Sequence, residues 1–313
     1  MDELVSLGRT DVKINPLGTG AWAWGDTMVW GFGNGYGEAE VKTAFDATIA
    51  GGVNFFDTAE VYGLGKSETL LGQFAKQSKT PIVIATKFLP YPWRLTRSRF
   101  LPALRASLKR LGVERVDLYQ IHIPLPPIAI ETWVDALGES VQLGLTRAAG
   151  VSNYNADQTR RANDVLAKRG VPLASNQLKY SLLDRHIERD GTMQACNECG
   201  ATILAYSPIE MGLLSGKYTP EHPPSGSRSR RYPREYLAAI QPVIGLLREI
   251  GQAHDNKTPS QVALNWTICK GTVPIPGAKN AKQAQENIGA LGWRLNSDEI
   301  AAIDTASESV QRK

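Results

Sequence analysis

The stretches "IVIATKF" at 82–88 and "VDLYQIH" at 116–122 decide how this 313-residue chain folds. Each is a short, nearly continuous apolar run rich in β-branched or aromatic residues, which suits a strand covered on both faces. Between them, 97–111 carries apolar residues three and four positions apart, the spacing of one helix face. Strand, helix, strand is the pattern of a parallel βα unit. The pattern extends in both directions. Strand-like runs at 16–22, 53–57, 147–152, 173–178, 202–207 and 272–277 join the first two. Helix-like stretches at 38–51, 67–77, 130–143, 155–169, 187–199 and 259–270 lie between them. Eight such units in a chain of this length predict an α/β fold, a (β/α)8 TIM barrel. A β-hairpin ("LVSL", turn, "VKIN") precedes the barrel, and two extra C-terminal helices follow at about 280–291 and 297–308. No linker or composition break divides the chain, so 1–313 reads as one barrel domain. A Pro-, Ser- and Arg-rich insertion at 217–236 is expected to leave the C-terminal face of the barrel as a lid or clasp.

A doubly wound nucleotide-binding sheet is the competing fold, and "WGFGNGYG" at 30–37 invites it. Its glycines at 31, 33, 35 and 37 fit G-x-G-x-x-G in no frame, and no lysine follows as in a phosphate-binding loop. The stretch is expected to be a flexible loop at the barrel mouth that carries Trp30 toward substrate and does not touch the cofactor. Composition sets broader bounds. With 42% hydrophobic and 21% charged residues, the chain has the makeup of a globular protein with a large core. A net charge of +4 without a basic, aromatic-interleaved run argues against nucleic acid. No apolar stretch is long enough to span a bilayer, and the start "MDELVSLGRT" is no secretory signal. Cys196, Cys199 and Cys269 are too few for a disulfide scaffold and point to a reducing compartment. Cytoplasm is expected, or plastid stroma if a transit peptide has been removed, with a monomer or weak homo-oligomer and no membrane partner. "CNEC" has no second cysteine pair or nearby histidine to make a metal or redox site, so no metal is expected.

Barrel strands present catalytic groups at their C-terminal ends. The second barrel strand ends in Asp57, with Tyr62 five residues on; the third ends near Lys87; the fourth ends in His122. A phenol is a poor acid at neutral pH, but an adjacent ammonium favours the phenolate and lowers its pKa. An aspartate can hold that ammonium, and a histidine can hydrogen-bond the substrate oxygen. The set makes a general acid for an oxygen that turns into an alkoxide, as hydride delivery to a carbonyl requires.

At these residues the chain resembles the aldo-keto reductase superfamily. The shared motifs are "LGTGAW", "FFDTAEVYG", "ATKF", "DLYQIH", "GVSNY", "SNQLKYSLL", "AYSPIEMGLLSGKY" and "IPGAKNAKQAQEN". The likeness is greatest to plant chloroplast and cyanobacterial reductases, and looser to potassium-channel β subunits. The resemblance implies a barrel that binds NADPH/NADP+ and reduces small aldehydes or ketones, with Asp57, Tyr62, Lys87 and His122 as catalytic tetrad and Tyr62 as acid. It also implies cofactor contacts. Gly20, Ala21, Trp22 and Asp57 would be among them, and Ser152, Asn153 and Gln177 would hold the carboxamide. Tyr206 would stack on the ring, Ser207, Pro208, Leu213, Ser215 and Lys217 would follow the pyrophosphate, and Gly277, Lys279, Gln283, Glu286 and Asn287 would meet the adenosine. Many members carry a base where this chain has Gly277 and Gln283, so only Lys279 is left to meet a 2′-phosphate.

The substrate pocket is expected to use Trp22, Trp30, Tyr62, Trp93 and His122, with Trp24 and Tyr91 as further aromatic candidates. Most of Arg94, Arg97, Arg99, Arg228, Arg230, Arg231 and Arg234 are expected to form a solvated face, with attraction of a carboxylated aldehyde by either group as the alternative. The same tetrad also serves slow, redox-reporting regulatory subunits of the channel-β type, which stands as the alternative function.

Overall fold

The computed structural model describes residues 3–225 and 230–311. A two-stranded antiparallel hairpin, β1 (Val5–Ser6) and β2 (Lys13–Ile14), comes first. Eight parallel strands follow, each paired with the next: β3 (Thr19–Gly20), β4 (Phe55–Asp57), β5 (Val83–Phe88), β6 (Val116–Ile121), β7 (Thr146–Ser152), β8 (Leu173–Lys179), β9 (Thr202–Tyr206) and β10 (Val273–Pro274). The sheet closes on itself. Gly18 N donates to Pro274 O at 2.9 Å, Gly20 N donates to Pro276 O at 3.0 Å, and Gly20 bridges Gly277 in parallel. The expected barrel is therefore present, with strands shorter than the apolar runs at its first and last positions.

Helices coat the outside: α1 (Glu38–Ala50), α2 (Lys66–Ser78), α3 (Phe100–Leu111), α4 (Ile130–Gln142), α5 (Ala156–Ala167), α6 (His186–Arg189) and α7 (Thr192–Cys199). Further on come α8 (Arg234–Ala239), α9 (Gln241–Ala253), α10 (Pro259–Cys269), α11 (Ala281–Ile288) and α12 (Ser297–Glu308). None among the described residues is long and apolar enough to cross a membrane. Two expectations need correction. The helix expected over 187–199 is broken between α6 and α7, because Gly191 is left-handed (φ 82°) and Asp190 turns back to accept the Thr192 amide at 2.9 Å. The insertion is also less of a loop than its composition implied. Its end folds into α8, and α9 continues it, burying Val243, Ile244, Leu247 and Ile250. Residues 226–229, with Arg228, lie outside the described part.

Side-chain alternation in the strands sorts the barrel interior into two layers. Phe55, Ala85, Leu118 and Leu204 fill the N-terminal half with Leu7, Val12 and Ile14 of the hairpin, which plugs that end. One or two residues further along the strands, the inward positions become polar. The helix layer is close-packed: a Cβ on Gly72 of α2 would meet the Leu111 carbonyl of α3 at 2.1 Å, whereas one on Gly245 of α9 meets nothing within 4 Å. Both sit in helices, where alanine is intrinsically favoured by about 1 kcal/mol. Gly72→Ala should therefore lower stability by about 2 kcal/mol or more through overpacking, while Gly245→Ala should raise it by up to about 1 kcal/mol. Urea denaturation of the two variants measures both signs.

Candidate active site

The polar layer sits at the C-terminal mouth, where strand parity places it. Phe55 points into the apolar layer, so Asp57 two residues later points into the mouth; Ala85 and Lys87, then Leu118, Gln120 and His122, repeat the relation. Lys87 is fully buried. Its ammonium donates to Asp57 Oδ2 at 2.5 Å, to the Thr58 carbonyl at 2.8 Å and to the Tyr62 hydroxyl at 3.3 Å. Tyr62 opens a one-turn 3-10 segment, Tyr62–Gly65, in which Gly63 is left-handed (φ 53°). A Cβ on Gly63 would meet the Gly25 carbonyl at 2.4 Å, so only glycine lets this turn pack on the loop after β3 and aim the phenol at Lys87. The other Asp57 oxygen, Oδ1, accepts from Gln177 Nε2 at 2.8 Å and Gln120 Nε2 at 3.3 Å.

The electrostatics amend one expectation. Burial is the largest influence on the Tyr62 hydroxyl and raises its pKa; Lys87 pulls it down, Asp57 pushes it up, and the balance stays above the ordinary 10.0. The Tyr62 hydroxyl thus keeps its proton at neutral pH, and Lys87 limits the penalty of its ionisation without reversing it. Burial also works to depress Lys87, but Asp57 and Tyr62 outweigh it and hold the ammonium charged. His122 goes the other way: burial, then the Lys87 charge, lower its pKa from 6.5 to about 3. Its ring stands edge-on to Tyr62 with centroids 5.7 Å apart, and its Nδ1 is buried without a partner among the described residues. A bare lone pair there is cheaper than an unpaired N–H, which assigns the proton to Nε2 as a donor.

Beside the tetrad, Asn153 Nδ2 donates to the His122 carbonyl and to Ser152 Oγ, each at 3.0 Å, while its Oδ1 accepts the Tyr206 hydroxyl at 2.9 Å. Ser152 Oγ donates to the Gln177 carbonyl at 2.9 Å. The turn after β9 is left-handed at Ser207 (φ 54°), Glu210 (φ 44°), Met211 (φ 52°) and Gly212 (φ 93°). Buried Glu210 anchors it by an ion pair with Lys179, which also binds Asp184 at 2.7 Å.

These elements wall a cleft of about 1010 Å³. It runs from Trp22, Trp30, Tyr62 and His122, past Ser152, Asn153, Gln177 and Tyr206, along Ser207, Pro208, Ser215 and Lys217, to Gly277, Lys279, Gln283, Glu286 and Asn287. Gly20 and Asp57 also face it, and Lys87 lies directly behind Asp57 and Tyr62. Three expected contacts do not. Ala21 is fully buried in the helix-side core, its amide spent on the Asp57 carbonyl at 2.8 Å. Leu213 is packed into the core around α9 and α10. Trp93 is 70% exposed and stacks on Tyr91 away from the cleft, with centroids 4.5 Å apart.

Trp24 is buried too, its indole N–H on the Ala278 carbonyl at 2.8 Å. The arginines are otherwise engaged. Arg94 grips Glu60 with two nitrogens at 2.5 and 2.9 Å, and Arg97 reaches Asp135 at 2.7 Å and Glu139 at 2.6 Å. Arg99, Arg230, Arg231 and Arg234 are exposed and do not line the cleft. The sequence reading missed Gln120, although strand parity with His122 could have found it. It also missed Asp26, Met211 and Tyr218 of the cleft wall, which sit in loops where no periodicity applies.

The donor set fits a nicotinamide dinucleotide. Gln177 and Asn153 offer amide oxygens to a carboxamide, Tyr206 offers a ring face, and Lys217 and Lys279 offer cations, in a cleft large enough for a long ligand and a small second molecule. Similarity to known proteins points the same way. The Aldo/keto reductase family model matches residues 16–308. The chain is 40% identical to the chloroplastic pyridoxal reductase of Arabidopsis thaliana over 313 residues, covering 95% of this chain and 84% of the relative. It is 33% identical to the aldo-keto reductase yakc of Schizosaccharomyces pombe, whose name carries NADP(+), over 83% of this chain and 80% of the relative. Among solved structures, the thermostable aldo-keto reductase Tm1743 in complex with the inhibitor epalrestat superposes with a TM-score of 0.76 at 30% identity, covering 97% of this chain and all (100%) of that one. With the family model spanning most of the chain, the barrel closed and the strand-end tetrad assembled, this protein belongs to the aldo/keto reductase family of oxidoreductases, which work with nicotinamide cofactors.

Proposed function

We propose that this protein is an NADPH-dependent reductase of small, flat aldehydes, with Tyr62 as proton donor. The observation that carries the reading is the buried Asp57–Lys87–Tyr62 chain, which brings the Tyr62 hydroxyl to the cleft beside His122. A bound reduced nicotinamide supplies the hydride. The chain's residues supply the rest. The His122 Nε2–H and the Tyr62 O–H hydrogen-bond the substrate oxygen, and Tyr62 gives up its proton as negative charge develops there. Lys87 steadies the phenolate left behind, and Asp57 keeps Lys87 charged and in place. Gln177, Asn153 and Ser152 would hold the carboxamide, Tyr206 would offer its ring face, and Lys217 and Ser215 would hold the pyrophosphate.

NADPH is favoured over NADH by Lys279 at the adenosine end and by the name of the yeast relative. Flat aldehydes are favoured by the wall: Trp22 stacks on Tyr62 with centroids 5.9 Å apart, and Trp30 stands edge-on to Trp22 at 5.6 Å. Pyridoxal, named in the plant relative, has that shape. None of the three cysteines is in a disulfide among the described residues, which suits cytoplasm or plastid stroma.

Three outcomes test this. Tyr62→Phe should lower kcat by about 10³-fold while dinucleotide affinity, measured by fluorescence titration, stays within a few-fold. Near-wild-type turnover would remove Tyr62 from the role.

His122 is neutral above about pH 3, so kcat/KM should show no inflection near 6.5. The same group works on stability. Below its ordinary 6.5 the unfolded chain takes up a proton that the folded chain refuses, so stability should fall as pH drops from 6.5 toward 3. A pH series of denaturation midpoints for wild type and His122→Asn measures that share.

With Arg94 and Arg97 committed to carboxylates, the mouth has no spare guanidinium from these positions for an anionic substrate. Pyridoxal should therefore have a KM at least about tenfold below those of pyridoxal 5′-phosphate and succinic semialdehyde, since an unpaired charge is costly to desolvate.

A further inference from the structure

The glycine-rich stretch after β3 is tied to the far end of the cleft. Lys279, just before α11, donates from its ammonium to the Trp30 carbonyl at 2.9 Å. The same nitrogen lies 4.2 Å from the Tyr36 ring centroid and 5.0 Å from that of Trp30. One cation thus holds a backbone oxygen and two aromatic faces of a single loop.

The loop is framed to receive it. Asp26 Oδ1 accepts the amides of Val29 at 2.7 Å and Trp30 at 3.1 Å, and its Oδ2 accepts the Trp22 indole at 3.2 Å. The Tyr36 hydroxyl donates to the Ala23 carbonyl at 2.8 Å, which fixes the ring under Lys279. Between these fixed points, Gly31, Gly33 and Gly35 all have positive φ, and an added Cβ on any of them would meet nothing within 4 Å. They are hinges free of packing. One group in the loop is left short: the Trp30 indole nitrogen is buried with no partner among the described residues. Trp30 and Lys279 both face the cleft.

We propose that Asp26–Tyr36 is a strap latched by Lys279, and that Lys279 makes the width of the carbonyl-side wall depend on which dinucleotide is bound. The inference rests on the NADPH reading above. A 2′-phosphate at the adenosine end competes for the ammonium that holds the Trp30 carbonyl and both rings, and an anionic oxygen is the stronger partner. A 2′-hydroxyl offers no such competition and leaves the strap latched. Release of Trp30 withdraws the edge that packs on Trp22, which in turn stacks on Tyr62, so the effect reaches the catalytic phenol through two ring contacts. Gln283 brings no charge to a phosphate: its side chain is a neutral amide whose oxygen accepts the Lys279 backbone amide at 2.9 Å, so Lys279 is the stronger partner there.

Hydrogen exchange of amides 28–36 tests the strap directly, without turnover. In the wild type, saturating NADP+ should speed exchange in this segment about tenfold or more, the loss of one charge-assisted hydrogen bond, and saturating NAD+ should not. Lys279→Met should exchange fast with no dinucleotide present and respond to neither; Lys279→Arg should restore protection. Tyr36→Leu, which removes one ring and leaves Lys279 intact, should loosen the ligand-free strap in part. Equal exchange with NADP+ and NAD+, or a Lys279→Met strap as protected as the wild type, overturns the proposal. If dialysis shows that neither dinucleotide binds, the cofactor reading fails and the dinucleotide dependence fails with it. The latch itself then stands or falls on the ligand-free Lys279→Met and Tyr36→Leu results.

Discussion

A fully buried ammonium, Lys87, is the constraint on which the rest of this site depends. An unpaired charge at that depth carries a desolvation penalty that no small domain can absorb, so it must be surrounded by partners. Asp57 answers from the next strand, the Thr58 carbonyl from just beyond it, and Tyr62 from the glycine-hinged turn that follows. The arrangement that satisfies Lys87 is also the arrangement that loads Tyr62. Stability and chemistry draw here on the same four atoms, which is why the phenol is held so closely by elements that are not themselves in the cleft.

Around that centre, the barrel interior is graded. Its lower half is apolar and stoppered by the hairpin, and its upper half is polar, with its amides and hydroxyls bonded to one another. Gln177 shows the consequence. Its amide nitrogen is bound to Asp57 and its backbone carbonyl to Ser152, so a residue that faces the cleft also supports the Lys87 partner. A network of this kind is rigid because every member would be costly to leave unpaired.

Charge at the mouth is spent inside the protein. Arg94 and Arg97, which by composition look like bait for an anion, neutralise Glu60, Asp135 and Glu139. What lines that end of the cleft is mainly aromatic surface, Trp22, Trp30 and Tyr62, and a neutral imidazole. Two lysines stay in the cleft, Lys217 and Lys279, and Lys279 is turned toward a loop.

The sequence by itself determined the architecture and the tetrad. Eight apolar runs spaced by helices leave few ways to pack, and the alternation of side chains along a strand puts Asp57, Lys87 and His122 at one mouth before any coordinate is known. It also carried motifs whose residues line the cleft. Only the tertiary structure decided which aromatic and basic residues face that groove. Trp24 and Trp93 are both tryptophans near the mouth, yet one is buried in the core and the other is 70% exposed, a difference set by loop paths that obey no period. The direction of the Tyr62 shift was likewise out of reach, since it is the difference between burial and the Lys87 charge, and burial is a property of the assembled fold. The glycines at 31–35 were legible as a loop, but the Lys279 that bonds it lies some 250 positions away along the chain. Contacts at that separation are made by closure of the barrel, which brings β3 against β10 and with it the two ends of the cleft.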